Sequence, residues 1–177
     1  ALLARFLERA RRPATSGNAN QYRQWALEVP GVSDAKVYPV WEGPGTVKVV
    51  LLDAEKTAPD STIVAETAAY IESVRPIGAT VTVAPAAEVP INVSVKVTIA
   101  PGYSVEQVKA QIEDGVRAYL ASLAFKDPLV RLTRIASVIL DIPPVVDYEN
   151  LTVNGETNNV LIADGSVAIL GTVTVTT

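Results

Sequence analysis

The run Val89-Pro90-Ile91-Asn92-Val93-Ser94-Val95-Lys96-Val97-Thr98-Ile99, entered through Pro85-Ala86-Ala87-Glu88, decides the fold. Its odd positions are apolar and its even positions are polar or proline. Successive strand side chains point to opposite faces, so the pattern predicts a strand with one buried face and one wet face. The Pro- and Ala-rich entry is the best boundary in the chain, and it divides the reading into a unit over residues 17–86 and a second over residues 87–177.

Downstream of that strand, Pro101-Gly102 turns the chain, and Ser104 with Gln107 three residues later forms a capping box. The helix it opens carries Val105, Val108, Ile112, Val116, Tyr119, Leu120 and Leu123 inward, and Lys126-Asp127-Pro128 breaks it. Thr133 is placed to cap a shorter helix bearing Ile135, Ala136, Val138 and Ile139, ended by Pro143-Pro144. Strands over Val145–Val153 and Val167–Val175, with turns at Asn154-Gly155 and Asp164-Gly165, complete the order strand, helix, helix, strand, strand.

Upstream, Tyr22, Trp25, Ala26 and Val29 fall on one helical face, which Pro30-Gly31 terminates. A hairpin follows: Ala35, Val37, Pro39 and Trp41 share a face, Glu42-Gly43-Pro44-Gly45 turns, and Thr46 to Asp53 runs back. Asp60 or Ser61 caps the next helix, whose face is Ile63, Val64, Thr67, Ala68 and Ile71, and Thr80 to Val83 adds a short strand. The order is helix, strand, strand, helix, strand. Leu2, Leu3, Phe6, Leu7 and Ala10 also follow helical spacing, so residues 1–16 read as the end of a helix from a preceding region. The fold class is α+β: two small units in tandem, each a short, mostly antiparallel sheet packed with helices, with a ferredoxin-like arrangement as one option.

Composition removes much of the usual chemistry. The 177 residues are 49% hydrophobic and 19% charged, which suits a folded soluble domain. Fifteen basic against nineteen acidic residues leave a net charge of −4, without the basic field that nucleic-acid binding uses. The chain has no Cys and no His. Thiol nucleophiles, Cys-ligated metals and Ser-His-Asp triads are therefore out. No apolar run approaches the ~20 residues that span a bilayer, which argues against membrane insertion.

Carboxylate pairs remain as possible catalysts: Glu113 with Asp114, Asp141 with Asp147, and Asp53 with Glu55. Each lies on an expected helix surface or loop, where solvated charge accounts for it. Asp147-Tyr148-Glu149-Asn150 only faintly resembles an oxygen-ligand calcium loop, and Asn92-Val93-Ser94 and Asn150-Leu151-Thr152 match the glycosylation tripeptide without other signs of secretion. Gly43-Pro44-Gly45 sits between two strands and reads as a turn, not as a phosphate loop. Trp25 and Trp41 could form a ligand platform, but their periodic positions favour packing. No catalytic, cofactor-binding or metal-binding residue is assigned, and no cofactor is expected.

Arg12-Pro13-Ala14-Thr15-Ser16-Gly17-Asn18, Tyr22-Arg23-Gln24-Trp25-Ala26 and Val29-Pro30-Gly31-Val32 resemble, in that order, the baseplate J-like family of contractile-tailed phages and prophage elements. The likeness continues through Ala35-Lys36-Val37-Tyr38-Pro39, Gly43-Pro44-Gly45-Thr46-Val47-Lys48-Val49, Arg75-Pro76-Ile77-Gly78-Ala79, Leu132-Thr133-Arg134-Ile135 and Gly165 to Val173. These segments end helices and make turns, as suits a family of structural proteins. The resemblance implies the C-terminal portion of a tail baseplate wedge component, located in the virion and assembled in the bacterial cytoplasm. It implies other wedge and hub proteins as partners, with copies of the same chain a further candidate, and it carries over no catalytic residue. Contact rearrangement at host attachment, releasing sheath contraction, also rests on that resemblance. The rival readings are a wedge-like part of another contractile injection apparatus, a His-free carboxylate hydrolase and a carbohydrate-binding module.

Overall fold

The computed structural model describes residues 17–177. The expected helix over residues 1–16 therefore lies outside the described residues. The chain divides into two compact units, the first ending at Ala87 and the second running Glu88–Thr177.

In the first unit the Asn18 side chain accepts the Gln21 N–H at 2.9 Å and opens α1 (Ala19–Glu28), which ends before Pro30-Gly31. β1 (Asp34–Pro39) and β2 (Thr46–Leu52) pair antiparallel, with Val37 opposite Val49 and Ala35 opposite Leu51. Asp60 accepts the N–H groups of Thr62 and Ile63 and starts α2 (Ser61–Val74). That helix carries the chain over to β3 (Thr80–Pro85), which pairs with β2 in parallel, Val83 beside Val49. The sheet, in the order β1-β2-β3, is thus mixed. A parallel neighbour needs a crossover connection, and α2 supplies it.

One core follows from that register. Ala35, Val37, Val47, Val49, Leu51, Val81 and Val83 project from one face of the sheet onto Tyr22, Ala26 and Val29 of the α1 segment and Ile71 of α2. Val50 and Leu52 on the other face are buried as well, so the second half of β2, residues 49–52, is an apolar run buried on both faces.

The second unit is built on β4 (Ala87–Ile99). Ile91, Val93, Val95 and Val97 are buried and Asn92, Ser94, Lys96 and Thr98 are exposed, as the alternation predicts. α3 (Val105–Leu123) begins with both hydrogen bonds of the Ser104–Gln107 capping box and buries Val108, Ile112, Val116 and Leu120. The unit continues through β5 (Leu129–Val130), α4 (Leu132–Leu140), β6 (Val145–Val153), β7 (Val160–Leu161) and β8 (Ser166–Thr176). The main sheet has the order β6-β4-β8, and β5 pairs antiparallel with β7. The two-residue strands β5 and β7 are too short to show a period, and the sequence does not announce them.

Thr133 does not cap α4. The helix starts at Leu132, which puts Thr133 inside its first turn, and the residue before it, Arg131, makes no side-chain cap. The orphan Leu132 N–H is taken instead by Asn159 Oδ1 at 3.0 Å, and the Arg131 N–H by the Tyr119 hydroxyl at 3.0 Å. Remote side chains do the work that a local cap does elsewhere.

Candidate functional site

The carboxylates proposed for chemistry each have a structural partner or an exposed setting. Asp53 accepts the N–H groups of Glu55 and Thr57 and the Thr57 hydroxyl, which closes its own loop. Asp114 pairs with Arg117 one helical turn on at 2.7 Å, both well exposed, and its neighbour Glu113 lies on the same helix. Asp141 ends α4, while Asp147 on β6 accepts the N–H of Tyr148 at 2.8 Å. Glu149 faces Lys96 across the sheet at 3.6 Å. Among the described residues no three His, Cys, Asp or Glu side chains gather to hold a metal ion.

The glycosylation-like tripeptides are also structural. Asn92 Oδ1 accepts the Thr172 N–H at 2.8 Å, and the Asn92 N–H donates to Asn154 Oδ1 at 2.8 Å. Asn92 thereby ties β4 to β8 and to the turn after β6. Asn150 adopts φ +53° at the register shift where β6 bulges against Ser94–Lys96. The two tryptophans do not make a common platform. Trp25 packs edge-on against Tyr22 at 5.1 Å on the first core. Trp41 sits at the hairpin tip with the Lys48 ammonium 4.8 Å over its ring.

The molecule also presents some large apolar side chains outward. At one end of the first sheet lie Val40, Trp41 and Ile77, all exposed, with Val40 held at φ +60°. A left-handed backbone is costly for a β-branched residue. The Gly45 carbonyl accepts the Thr80 N–H at 2.7 Å, which fixes the hairpin turn beside the Ile77-Gly78 loop. In the second unit, Leu132, Ala136 and Leu140 of α4 and Tyr148 and Leu151 of β6 line a depression of about 680 Å³. Sequence reasoning missed it. Its one signal is Leu140, an apolar residue that falls off the Ile135–Ile139 face and is half exposed. Among the described residues no helix is long and apolar enough to cross a membrane.

Comparison with known proteins decides the family. The baseplate J-like central domain matches residues 14–85 and the baseplate J-like C-terminal domain matches residues 91–176. The chain belongs to the baseplate J-like family. Phage-like element PBSX protein XkdT of Bacillus subtilis is 36% identical over 179 residues, covering 97% of this chain and 51% of that protein. Baseplate protein gp47 of Escherichia phage Mu is 43% identical over 51 residues, 29% of this chain and 14% of that protein. A chain of the anti-feeding prophage baseplate shares the fold, with a TM-score of 0.69 at 15% identity, over 96% of this baseplate J-like chain and 41% of its own length. The chain spans about half the length of the curated relatives that match it throughout.

Proposed function

We propose that this chain is a structural component of a contractile-tail baseplate, acting by position and not by catalysis. The single observation that carries this is the pair of baseplate J-like domain matches, which follow one another over nearly the whole chain. The geometry agrees with it. A turn and a strand tie engage the side chains of Asp53 and Asn92, and exposed apolar residues remain for neighbours. Its partners are then other baseplate proteins, and its place is the tail end of a virion or phage-like particle. Rigid units with fixed surfaces hold neighbours in register, and a change in those contacts transmits attachment to the tail.

The test is immunogold labelling of purified tail particles with antibody raised against this chain, alongside turnover assays on glycosides and esters. Label confined to the baseplate end is the expected result. Label absent from the particles, or turnover lost on replacing Asp53 or Asp141, would overturn the proposal.

A further inference from the structure

Among the described residues, the edge strands of the sheets are not treated alike. β1 carries Asp34, Lys36 and Pro39, and β3 has only six residues and ends in Pro85. β6 carries Asp147, Glu149 and a bulge. Charge, proline, shortness and bulging are the means by which an exposed edge is kept from recruiting another strand. β8 is different. It is the outer strand of β6-β4-β8 and 11 residues long, and Gly165–Thr177 contains no charged residue and no proline.

The end of that strand is also self-complementary. Thr172-Val173-Thr174-Val175-Thr176 reads the same in both directions. We propose that the outer edge of β8 pairs antiparallel with the same edge of a second copy of this chain, about a two-fold axis at Thr174. That register sets Thr174 opposite Thr174, Thr172 opposite Thr176, and Val173 opposite Val175. The faces agree with it. Val173 is buried and Val175 packs half-buried on the second core, whereas Thr172, Thr174 and Thr176 are exposed. A two-fold axis normal to the sheet keeps the valines of both copies on one side and builds a threonine ladder on the other. A charged partner strand gains nothing from this edge, because the edge offers no opposite charge. A second β8 matches it residue for residue. The pairing is read from β8 alone and stands or falls apart from the baseplate role.

The chain has no cysteine, so single cysteines report cleanly. In the full 177-residue chain, Thr174→Cys should form a disulfide dimer in a glutathione buffer at least about tenfold faster than Thr133→Cys, an exposed site on α4, because directly opposed strand residues lie within disulfide reach. Sedimentation equilibrium of the unaltered chain should show reversible dimers. Thr174→Lys sets two like charges face to face and should weaken them about tenfold or more. The circular dichroism spectrum of Thr174→Lys should be unchanged; if it is not, the cysteine rates alone decide. Equal rates for the two cysteine variants, a chain that stays monomeric to its solubility limit, or a dimer indifferent to a folded Thr174→Lys would each overturn the proposal.

Discussion

Two residues show how far a periodic pattern identifies a core. Tyr22 and Trp25 share the apolar face of α1, yet Tyr22 is 2% exposed while Trp25 leans its edge on Tyr22 and keeps part of its surface in water. Spacing places both on one face but does not say which one the sheet covers. Tyr22→Ala should therefore cost about 3–5 kcal/mol, as emptying a buried aromatic site does, and Trp25→Ala clearly less. Urea unfolding of both variants checks the order, and an equal or larger loss at Trp25 would contradict it. Gly171 is a second case. A Cβ there would lie 2.2 Å from Asn92 Oδ1 and 3.2 Å from the Ile91 carbonyl oxygen. Nothing in Gly171-Thr172 alone reveals this, because the obstruction comes from a residue far away in the chain. Gly171→Ala should destabilise the second unit. Asn92→Ala with Gly171→Ala should lose less than the two single losses combined, since the first change clears the side chain in the way. Strict additivity in that double-mutant cycle would rule the contact out.

At the scale of elements, legibility follows the distance over which each element is specified. β4 was readable because its alternation is local, and α3 because its capping box lies within four residues of Ser104. The start of α4 was not, because Asn159 reaches Leu132 from 27 residues away. The parallel pairing of β3 with β2 was hidden for a related reason: Thr80–Val83 carries the same Thr-Val alternation whether its neighbour runs with it or against it. The same limit applies to the outward surfaces, since the depression beside α4 exists only once β6 is in place. The approach to α4 also has a pH signature. Arg131, hydrogen-bonded to Asp127 Oδ2 at 2.5 Å, holds the Asp127 carboxyl below its ordinary range, and the Leu129 N–H adds to this. A carboxylate pKa lowered by folding stabilises the fold fully above its unfolded value of about 4, and the contribution fades as pH falls through the lower folded value. Wild type should accordingly exceed Asp127→Asn in melting temperature at neutral pH, with the gap closing below about pH 4. A gap that persists unchanged into strong acid would remove the ion pair as its cause.

For the whole molecule, the question is whether the two units melt as one. Their cores share no residue: Tyr22, Val49, Leu51 and Ile71 belong to the first, and Val95, Ile112, Val116 and Ile139 to the second. Between β3 and β4 only Ala86 intervenes, and its N–H is bonded to the Leu51 carbonyl at 3.1 Å, so the link is anchored on the first unit. Ala87 and Glu88 beyond it are exposed. A short link with separate cores favours units that open independently, each with its own free energy. Ile112→Ala leaves a cavity in the second core and should cost about 2–5 kcal/mol there. Native-state hydrogen exchange on this variant should show faster opening of amides in β4, α3 and β6. Amides of β2, such as those of Val49 and Leu51, should keep their wild-type protection. If protection in β2 falls in parallel with that in β4, the chain opens as one cooperative body, and the division at Ala87–Glu88 is then a matter of shape and not of stability.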